Sequence, residues 1–176
     1  MRAAALILAM LVLPAVAYAE DKTFLPRAVI AAGLKQADCD VPIEEVTELD
    51  PDDLGGGLKL IQVSCWRAAY NFGSILFAVD PNAREQARLL QFDIVGENGM
   101  LAKSYSIDLP DFDAKKKTLS SYHKARGVGD CGTIGEWRWT GHDFKLTGFW
   151  DKEKCDGELF DVDARDAKWR VYPFRK

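Results

Sequence analysis

Residues 122–146 read YHKARGVGDCGTIGEWRWTGHDFKL, and the second half of this stretch has the pattern of a β-hairpin. Trp137 and Trp139 alternate with charged residues, and the alternation resumes at Phe144 and Leu146. Between the two runs, Gly141 stands at the first central position of a two-residue turn, where a type II′ turn requires a positive φ. The pattern therefore predicts a hairpin that carries both tryptophans, Phe144 and Leu146 on one face.

The first half of the stretch surrounds Cys131 with three glycines and two cations, namely Gly127, Gly129, Gly132, Lys124 and Arg126. Successive backbone N–H groups at such glycines can form an anion-binding nest, and the cations would strengthen it for a phosphate or a carboxylate. However, the spacing fits neither the P-loop nor the dinucleotide-binding fingerprint. A chain that turns sharply into a disulfide also needs glycine for positive φ. We therefore favour a structural corner over an anion site.

The chain begins with a segment that has the features of a secretory signal peptide. Arg2 supplies a short positive region, residues 3–16 are apolar, and residues 17–19 (Ala-Tyr-Ala) form an A-x-A cleavage site. The apolar run is shorter than the roughly 20 residues that a membrane-spanning helix needs. We predict that residues 1–19 are removed, that the mature protein is periplasmic or secreted, and that it has no stable membrane insertion.

The charge composition of the chain indicates which class of partner the protein is not expected to bind. The formal net charge of the chain is −4 at pH 7, whereas a nucleic-acid-binding domain would show an excess of basic residues. We therefore expect no nucleic-acid partner. The remaining length suits one domain, which we place at residues 20–176.

All four cysteines follow the predicted cleavage site, at Cys39, Cys65, Cys131 and Cys155. An even number of cysteines in an exported chain predicts two disulfides, for which three pairings exist. We favour the bridges Cys39–Cys65 and Cys131–Cys155, because each joins neighbouring segments. The chain has no C-x-x-C motif and only two histidines, so we expect neither a metal site nor a cofactor.

The remaining patterns predict one helix followed by strands. Residues 25–35 repeat apolar side chains at helical spacing, whereas residues 38–53 contain eight carboxylates and are expected to form a solvated acidic loop. β-rich runs follow at residues 58–66, 75–80, 89–95, 105–109 and 169–174, the last as an edge strand because its proline lacks a ladder donor. We predict a single, mainly antiparallel β domain with one short N-terminal helix, arranged as a sandwich or a small barrel.

Three stretches of the sequence resemble a known family. Residues 65–74 (CWRAAYNFGS), residues 124–132 (KARGVGDCG) and the W-x-W-x-G-x-x-F-x-L run from Trp137 are similar to segments of the bacterial exported family catalogued as domain of unknown function 1176. The resemblance covers roughly residues 58–176. Ala68 and Ala125 stand where this family usually has glycine, and the chain is shorter than the longer members. The resemblance implies an exported, disulfide-bonded, mainly β protein, and it assigns no catalytic residues.

Five side chains on the predicted loop side suit recognition of a ligand: Arg67, Tyr70, Lys124, Arg126 and Asp130. We predict a non-enzymatic envelope module that uses them to bind a protein or a glycan. One alternative is a periplasmic hydrolase in which Asp130 orients His123 as a general base, and another is a secreted inhibitor of a cell-wall lytic enzyme. Residues 121–124 match S-x-x-K, but the companion motifs of serine acyl-enzymes are absent, so we expect no acyl transfer there.

Overall fold

The computed structural model describes residues 23–96, 98–158, 160 and 169–173. The predicted signal peptide and its cleavage site lie outside the described residues, as does the end of the predicted C-terminal strand. In chain order the elements are α1 (Arg27–Gln36), β1 (Asp52–Gly55), β2 (Leu58–Arg67), β3 (Phe72–Val79), β4 (Arg88–Leu89), β5 (Phe92–Val95), β6 (Leu101–Ser104), β7 (Ser106–Asp108), β8 (Asp111–Asp113), β9 (Thr118–Lys124), β10 (Gly132–Trp139), β11 (Phe144–Lys152) and β12 (Arg170–Tyr172).

The strands form two antiparallel sheets and one small hairpin. The first sheet has the order β1-β2-β3-β4, and β7 also pairs with β3. The second sheet has the order β12-β11-β10-β9-β8, so each strand pairs with its neighbours along the chain. Among the described strands, β5 and β6 form a separate two-stranded pair. The sheets are not closed into a barrel, and side chains from both of them share one core, as in a sandwich.

β3 is covered on both of its faces along most of its length. Its Leu76 and Ala78 join the core between the sheets, whereas Ile75, Phe77 and Val79 face the opposite way and pack with α1. This division follows from the period of two in a strand, where successive side chains point to opposite faces. β3 is therefore apolar almost throughout, which explains why its run was visible in the sequence.

The helix α1 confirms the predicted N-terminal helix and begins after Pro26. Ile30 and Leu34 face the first sheet, and a side chain at Gly33 would collide with the ring of Phe77, so glycine permits the close approach. Just before the helix, the carboxylate of Glu48 accepts a hydrogen bond from the N–H of Leu25 at 3.0 Å. A residue of the predicted acidic loop thus fixes the start of the helix.

The hairpin predicted from the opening stretch is confirmed in its register. Trp137 pairs with Leu146 and Trp139 pairs with Phe144, and Gly141 has a φ of +97° in the turn. Thr147 is an extra residue opposite the step from Glu136 to Trp137, and its hydroxyl donates to the carbonyl of Glu136 at 3.1 Å. The bulge was not predicted, since nothing in the alternation marks it.

Both predicted disulfides are present. Cys39 is bonded to Cys65 and Cys131 to Cys155, with Cα atoms 4.8 Å and 4.9 Å apart. The hairpin register explains the second bridge, because Gly132 pairs with Lys152 and places the two cysteines at the open end of β10 and β11. No helix among the described residues is both long enough and apolar enough to cross a membrane.

Two predictions about secondary structure were wrong in detail. The run at residues 89–95 is not one strand, because β4 pairs with β3 and β5 pairs with β6. The chain leaves the first sheet at Leu90, whose N–H donates to the carbonyl of Leu76 at 2.8 Å. The acidic stretch is not a loop throughout either. It forms a bridge between Glu48 and Val63 and then enters β1.

Candidate functional site

The turn between β2 and β3 lies against the turn between β9 and β10, so most of the predicted site residues belong to one surface. The side-chain amide of Asn71 donates to the carbonyl of Lys124 at 2.9 Å and accepts from its N–H at 3.0 Å. The hydroxyl of Tyr70 donates to the carbonyl of Ala125 at 3.2 Å. We call the exposed parts of Tyr70, Lys124, Arg126 and Val128 the corner surface.

Asp130 is a buried structural anion. Its side chain is 0% exposed and accepts hydrogen bonds from Nε of Arg126 at 2.6 Å and from the N–H of Gly157 at 2.6 Å. The second carboxylate oxygen also contacts Nη2 of Arg126. These contacts, with that to the guanidinium foremost, hold the pKa of Asp130 well below its usual range. Both carboxylate oxygens of Asp130 are thus taken up by Arg126 and Gly157, and neither has His123 as a partner.

The predicted partnership of His123 with Asp130 is therefore wrong. Nδ1 of His123 lies 2.6 Å from Oδ2 of Asp108, a residue of the neighbouring sheet. Burial raises the pKa of Asp108, although the hydrogen bond with His123 acts in the opposite direction. No local pattern indicates this partner, because the contact joins β7 of the first sheet to β9 of the second.

A cavity between the sheets opens beside this pair. We call it the inter-sheet cavity; its volume is about 340 Å³, and its walls include Trp66, Asp108, Ser121, His123, Thr133 and Phe149. Ser121 and Lys124 both lie on β9, where residues three apart point to opposite faces. The S-x-x-K sequence thus does not bring a lysine beside its serine, in agreement with the expectation that it is not an acyl-transfer site.

Part of the backbone hydrogen bonding of the glycine corner is internal. The N–H of Gly129 donates to the carbonyl of Arg126 at 3.0 Å, and the N–H of Ala125 donates to the carbonyl of Cys131 at 3.1 Å. Gly132 has a φ of +134°, and a side chain there would collide with the carbonyl of His123. These contacts agree with a structural corner rather than with an anion nest.

Potential metal ligands of the described residues come together in one place. Asp130, Cys131 and Cys155 offer three ligand-type atoms within 4.8 Å of one another. Both sulfurs are joined in the disulfide, whereas a metal would require thiolates. This cluster therefore does not suit a metal ion.

A second cavity, which we call the aromatic groove, was not predicted. Its volume is about 410 Å³, and its walls include Glu45, Leu49, Gln62, Trp66, Arg67 and Phe72. Phe72 is 45% exposed and Leu49 is 48% exposed. Among the described residues, neither the guanidinium of Arg67 nor the carboxylate of Glu45 has an ion pair or a hydrogen bond.

Trp66 lies where the two cavities meet, since its side chain lines both of them. It pairs with Gly73 across β2 and β3, and any side chain at Gly73 would collide with its indole. The glycine thus gives the indole room to lie against the sheet. Arg67 is one of the predicted site residues, but the opposite wall comes from residues 41–49, whose position no local pattern reveals.

Comparisons with known proteins identify relatives without an assigned activity. A family model described as "Protein of unknown function (DUF1176)" matches residues 8–172. The chain is also similar to "Uncharacterized protein YpfG" of Escherichia coli (strain K12), with 28% identity over 97 residues. This match covers 55% of the chain but only 28% of that relative, so the chain spans little more than a quarter of its length. No solved structure matches.

Proposed function

The chain belongs to the DUF1176 family of proteins of unknown function, and from its surface we propose that it is an exported envelope protein that binds a protein or glycan ligand without enzymatic chemistry. Two features support the location. The first 19 residues have the composition of a cleavable signal peptide. All four cysteines are joined in disulfides, a state that persists in oxidising compartments such as the bacterial periplasm.

The observation that carries the binding role is the exposed Phe72 in the aromatic groove, beside Arg67, whose guanidinium has no partner in the part of the chain that the structure describes. Exposed aromatic rings and arginines are the residues that most often dominate binding energy. The groove volume of about 410 Å³ lies within the range of small-molecule and peptide sites. A guanidinium that none of the described residues pairs with gives a ligand a specific polar contact on the wall of the groove.

The groove is also held rigidly, which favours affinity because little order has to be imposed on binding. Leu49 donates its N–H to the carbonyl of Gln62 at 2.9 Å, and Ser64 donates its N–H to the carbonyl of Thr47 at 2.9 Å. The disulfide Cys39–Cys65 ties the chain just before this wall to β2 as well. The wall formed by residues 41–49 is therefore fixed to β2.

Capture from an envelope extract tests this proposal. Protein recovered from the exported fraction is immobilised as wild type, Phe72→Ala, Arg67→Ala and Met100→Ala. Met100 is a matched control because it is also an exposed apolar residue but lines neither cavity. We expect a ligand that is retained by wild type and Met100→Ala, and at least about tenfold less by the two groove variants. Equal retention by all four proteins would contradict the proposal.

A hydrolase is the second candidate, and the contact between His123 and Asp108 at 2.6 Å is the observation that favours it. An imidazole oriented by a carboxylate beside a cavity has the arrangement of a general base. Asp108 takes the role that the sequence had suggested for Asp130. Chromogenic ester, phosphoester and glycoside substrates distinguish the two candidates: turnover that disappears in His123→Ala would support the hydrolase, whereas a binding module shows none.

A further inference from the structure

We infer that the ligand of the aromatic groove is a saccharide that carries a carboxylate, an inference that rests on the binding function proposed above. The groove combines aromatic walls, oriented polar side chains and a guanidinium that has no ion pair among the described residues. Each of these features selects part of such a ligand.

The aromatic walls suit the apolar faces of sugar rings. Phe72 is nearly half exposed, and Trp66 forms the adjoining wall. A pyranose ring presents C–H groups on its face and hydroxyls around its rim, so a groove that binds it needs an aromatic surface with polar groups at the sides. The groove has this composition, whereas an apolar peptide segment would leave its polar wall without partners.

The polar wall is oriented before any ligand arrives. Nε2 of Gln62 donates to the hydroxyl of Ser74 at 3.1 Å, which leaves the amide oxygen of Gln62 as an acceptor. The hydroxyl of Ser64 accepts from the N–H of Thr47 at 2.9 Å and retains its own proton as a donor. Sugar hydroxyls both donate and accept hydrogen bonds, so neighbouring donors and acceptors match them.

The guanidinium of Arg67 favours a ligand that carries a negative charge. Guanidinium binds a carboxylate through two parallel hydrogen bonds, and here it has no competing carboxylate among the described residues. Glu45 on the same groove disfavours a ligand with several negative charges, such as a phosphorylated sugar, because like charges repel. A single carboxylate near Arg67, with hydroxyl or amide donors toward Glu45, satisfies both side chains.

Calorimetric titration with defined sugars tests the inference. The probes are the disaccharide of N-acetylglucosamine and N-acetylmuramic acid, an aldobiouronic acid made of one glucuronate and one neutral sugar, and the neutral disaccharide chitobiose; each of the first two carries a single carboxylate. We expect one of the two carboxylated probes to bind wild type at least tenfold more tightly than chitobiose, and the tighter one identifies the source of the sugar. The preference should fall as salt is raised, because the ion pair is accessible to solvent.

Variants distinguish the contribution of the charge to sugar binding from that of the aromatic wall. Arg67→Gln is expected to abolish the preference for the carboxylate, and Phe72→Ala is expected to weaken all sugars together. Arg138→Gln, a change of an exposed arginine on β10, is the control and should change nothing. Thermal melts verify that each variant is folded.

The outcomes also distinguish this inference from the proposed function. If chitobiose binds wild type as tightly as the acidic sugars, the carboxylate is excluded while binding in the groove stands. If no sugar binds but the extract still yields a ligand that depends on Phe72, the ligand is a protein and the saccharide is excluded. If neither experiment yields a ligand that depends on Phe72, both proposals fail.

Discussion

Asp130 is a buried carboxylate whose two partners, Arg126 and the N–H of Gly157, both stabilise its charged form. The pKa of Asp130 is therefore lower in the folded protein than in the unfolded chain, where the pKa of an aspartate is about 3.9. A group with a lowered folded pKa contributes stability above the unfolded pKa, and that contribution is lost as the pH falls through the folded value. Asp130 thus stabilises the fold at neutral pH and ceases to do so in strong acid.

Replacing this carboxylate should remove part of the pH dependence of stability. Asp130→Asn is expected to lower the Tm at pH 7, and its difference from wild type should shrink below about pH 4, where the wild-type contribution is itself being lost. Circular-dichroism melts between pH 7 and pH 2 measure this. Asp50→Asn, at an exposed position, serves as the control and should follow wild type. A Tm difference that is equally large at every pH would contradict the explanation.

Substitutions at two glycines with positive φ can distinguish the energetic cost of backbone strain from that of a steric collision. Gly132 and Gly141 have φ values of +134° and +97°, but only Gly132 faces a neighbouring carbonyl, whereas a side chain at Gly141 would meet nothing within 4 Å. Gly141→Ala is expected to lower the free energy of unfolding by about 1 to 2 kcal/mol from the left-handed backbone. Gly132→Ala should lower it by clearly more, as measured in urea denaturation. Equal effects would show that the collision is relieved without cost.

Among the elements, the β10–β11 hairpin was predictable because its determinants are adjacent in the chain. The alternation of Trp137 and Trp139, the turn glycine and the return at Phe144 all lie within a few residues. β5 shows the opposite case. Leu90 and Phe92 keep their alternation and enter the same core, yet the chain changes partner between them, and the pattern of burial does not record which strand donates the hydrogen bonds.

Several contacts hold the segment after β11. Cys155 is bonded to Cys131, Gly157 donates to Asp130, and Lys152, which is 1% exposed, donates from Nζ to a carboxylate oxygen of Asp156 at 2.7 Å. Because these contacts converge on residues 152–158, the segment is fixed to the second sheet. Without the disulfide, it would retain only its polar contacts.

Removing each bridge should therefore have a different local effect. The double change Cys131→Ser, Cys155→Ser is expected to lower the free energy of unfolding by about 3 kcal/mol and to speed amide exchange in residues 153–158. Cys39→Ser with Cys65→Ser is the matched control, because its loop has a similar length of 26 against 24 residues, and it should instead speed exchange in residues 38–49. Hydrogen exchange followed by mass spectrometry distinguishes the two patterns.

For the whole molecule, export predicts a cleaved and disulfide-bonded chain, and its intact mass tests both features. The intact protein from the exported fraction, analysed without reduction, is expected to begin at Glu20 and to be lighter by four hydrogen atoms than its reduced form, because two disulfides are formed. Free thiols in that fraction would contradict the disulfide-stabilised fold. A mass that retains residues 1–19 would contradict the predicted cleavage.

The candidate site was less predictable than the fold, because its residues come from segments that are far apart in the sequence. The corner surface was anticipated because its residues lie in two short, distinctive stretches around Tyr70 and Arg126. The aromatic groove joins residues 41–49 to β2 and β3, and His123 meets Asp108 across the sheets. Such contacts depend on the packing of the sheets, which no periodicity in the sequence specifies.

The double coverage of β3 has a consequence for biogenesis. The chain is synthesised from its N-terminus, so α1 and the first three strands exist before the second sheet. During that interval Leu76 and Ala78 have no covering layer, because their partners, including Trp137 and Leu146, are still to come. The nascent first half therefore exposes an apolar surface. If the ribosome stalled before the tryptophan hairpin, the truncated chain would be a substrate for chaperones or proteases.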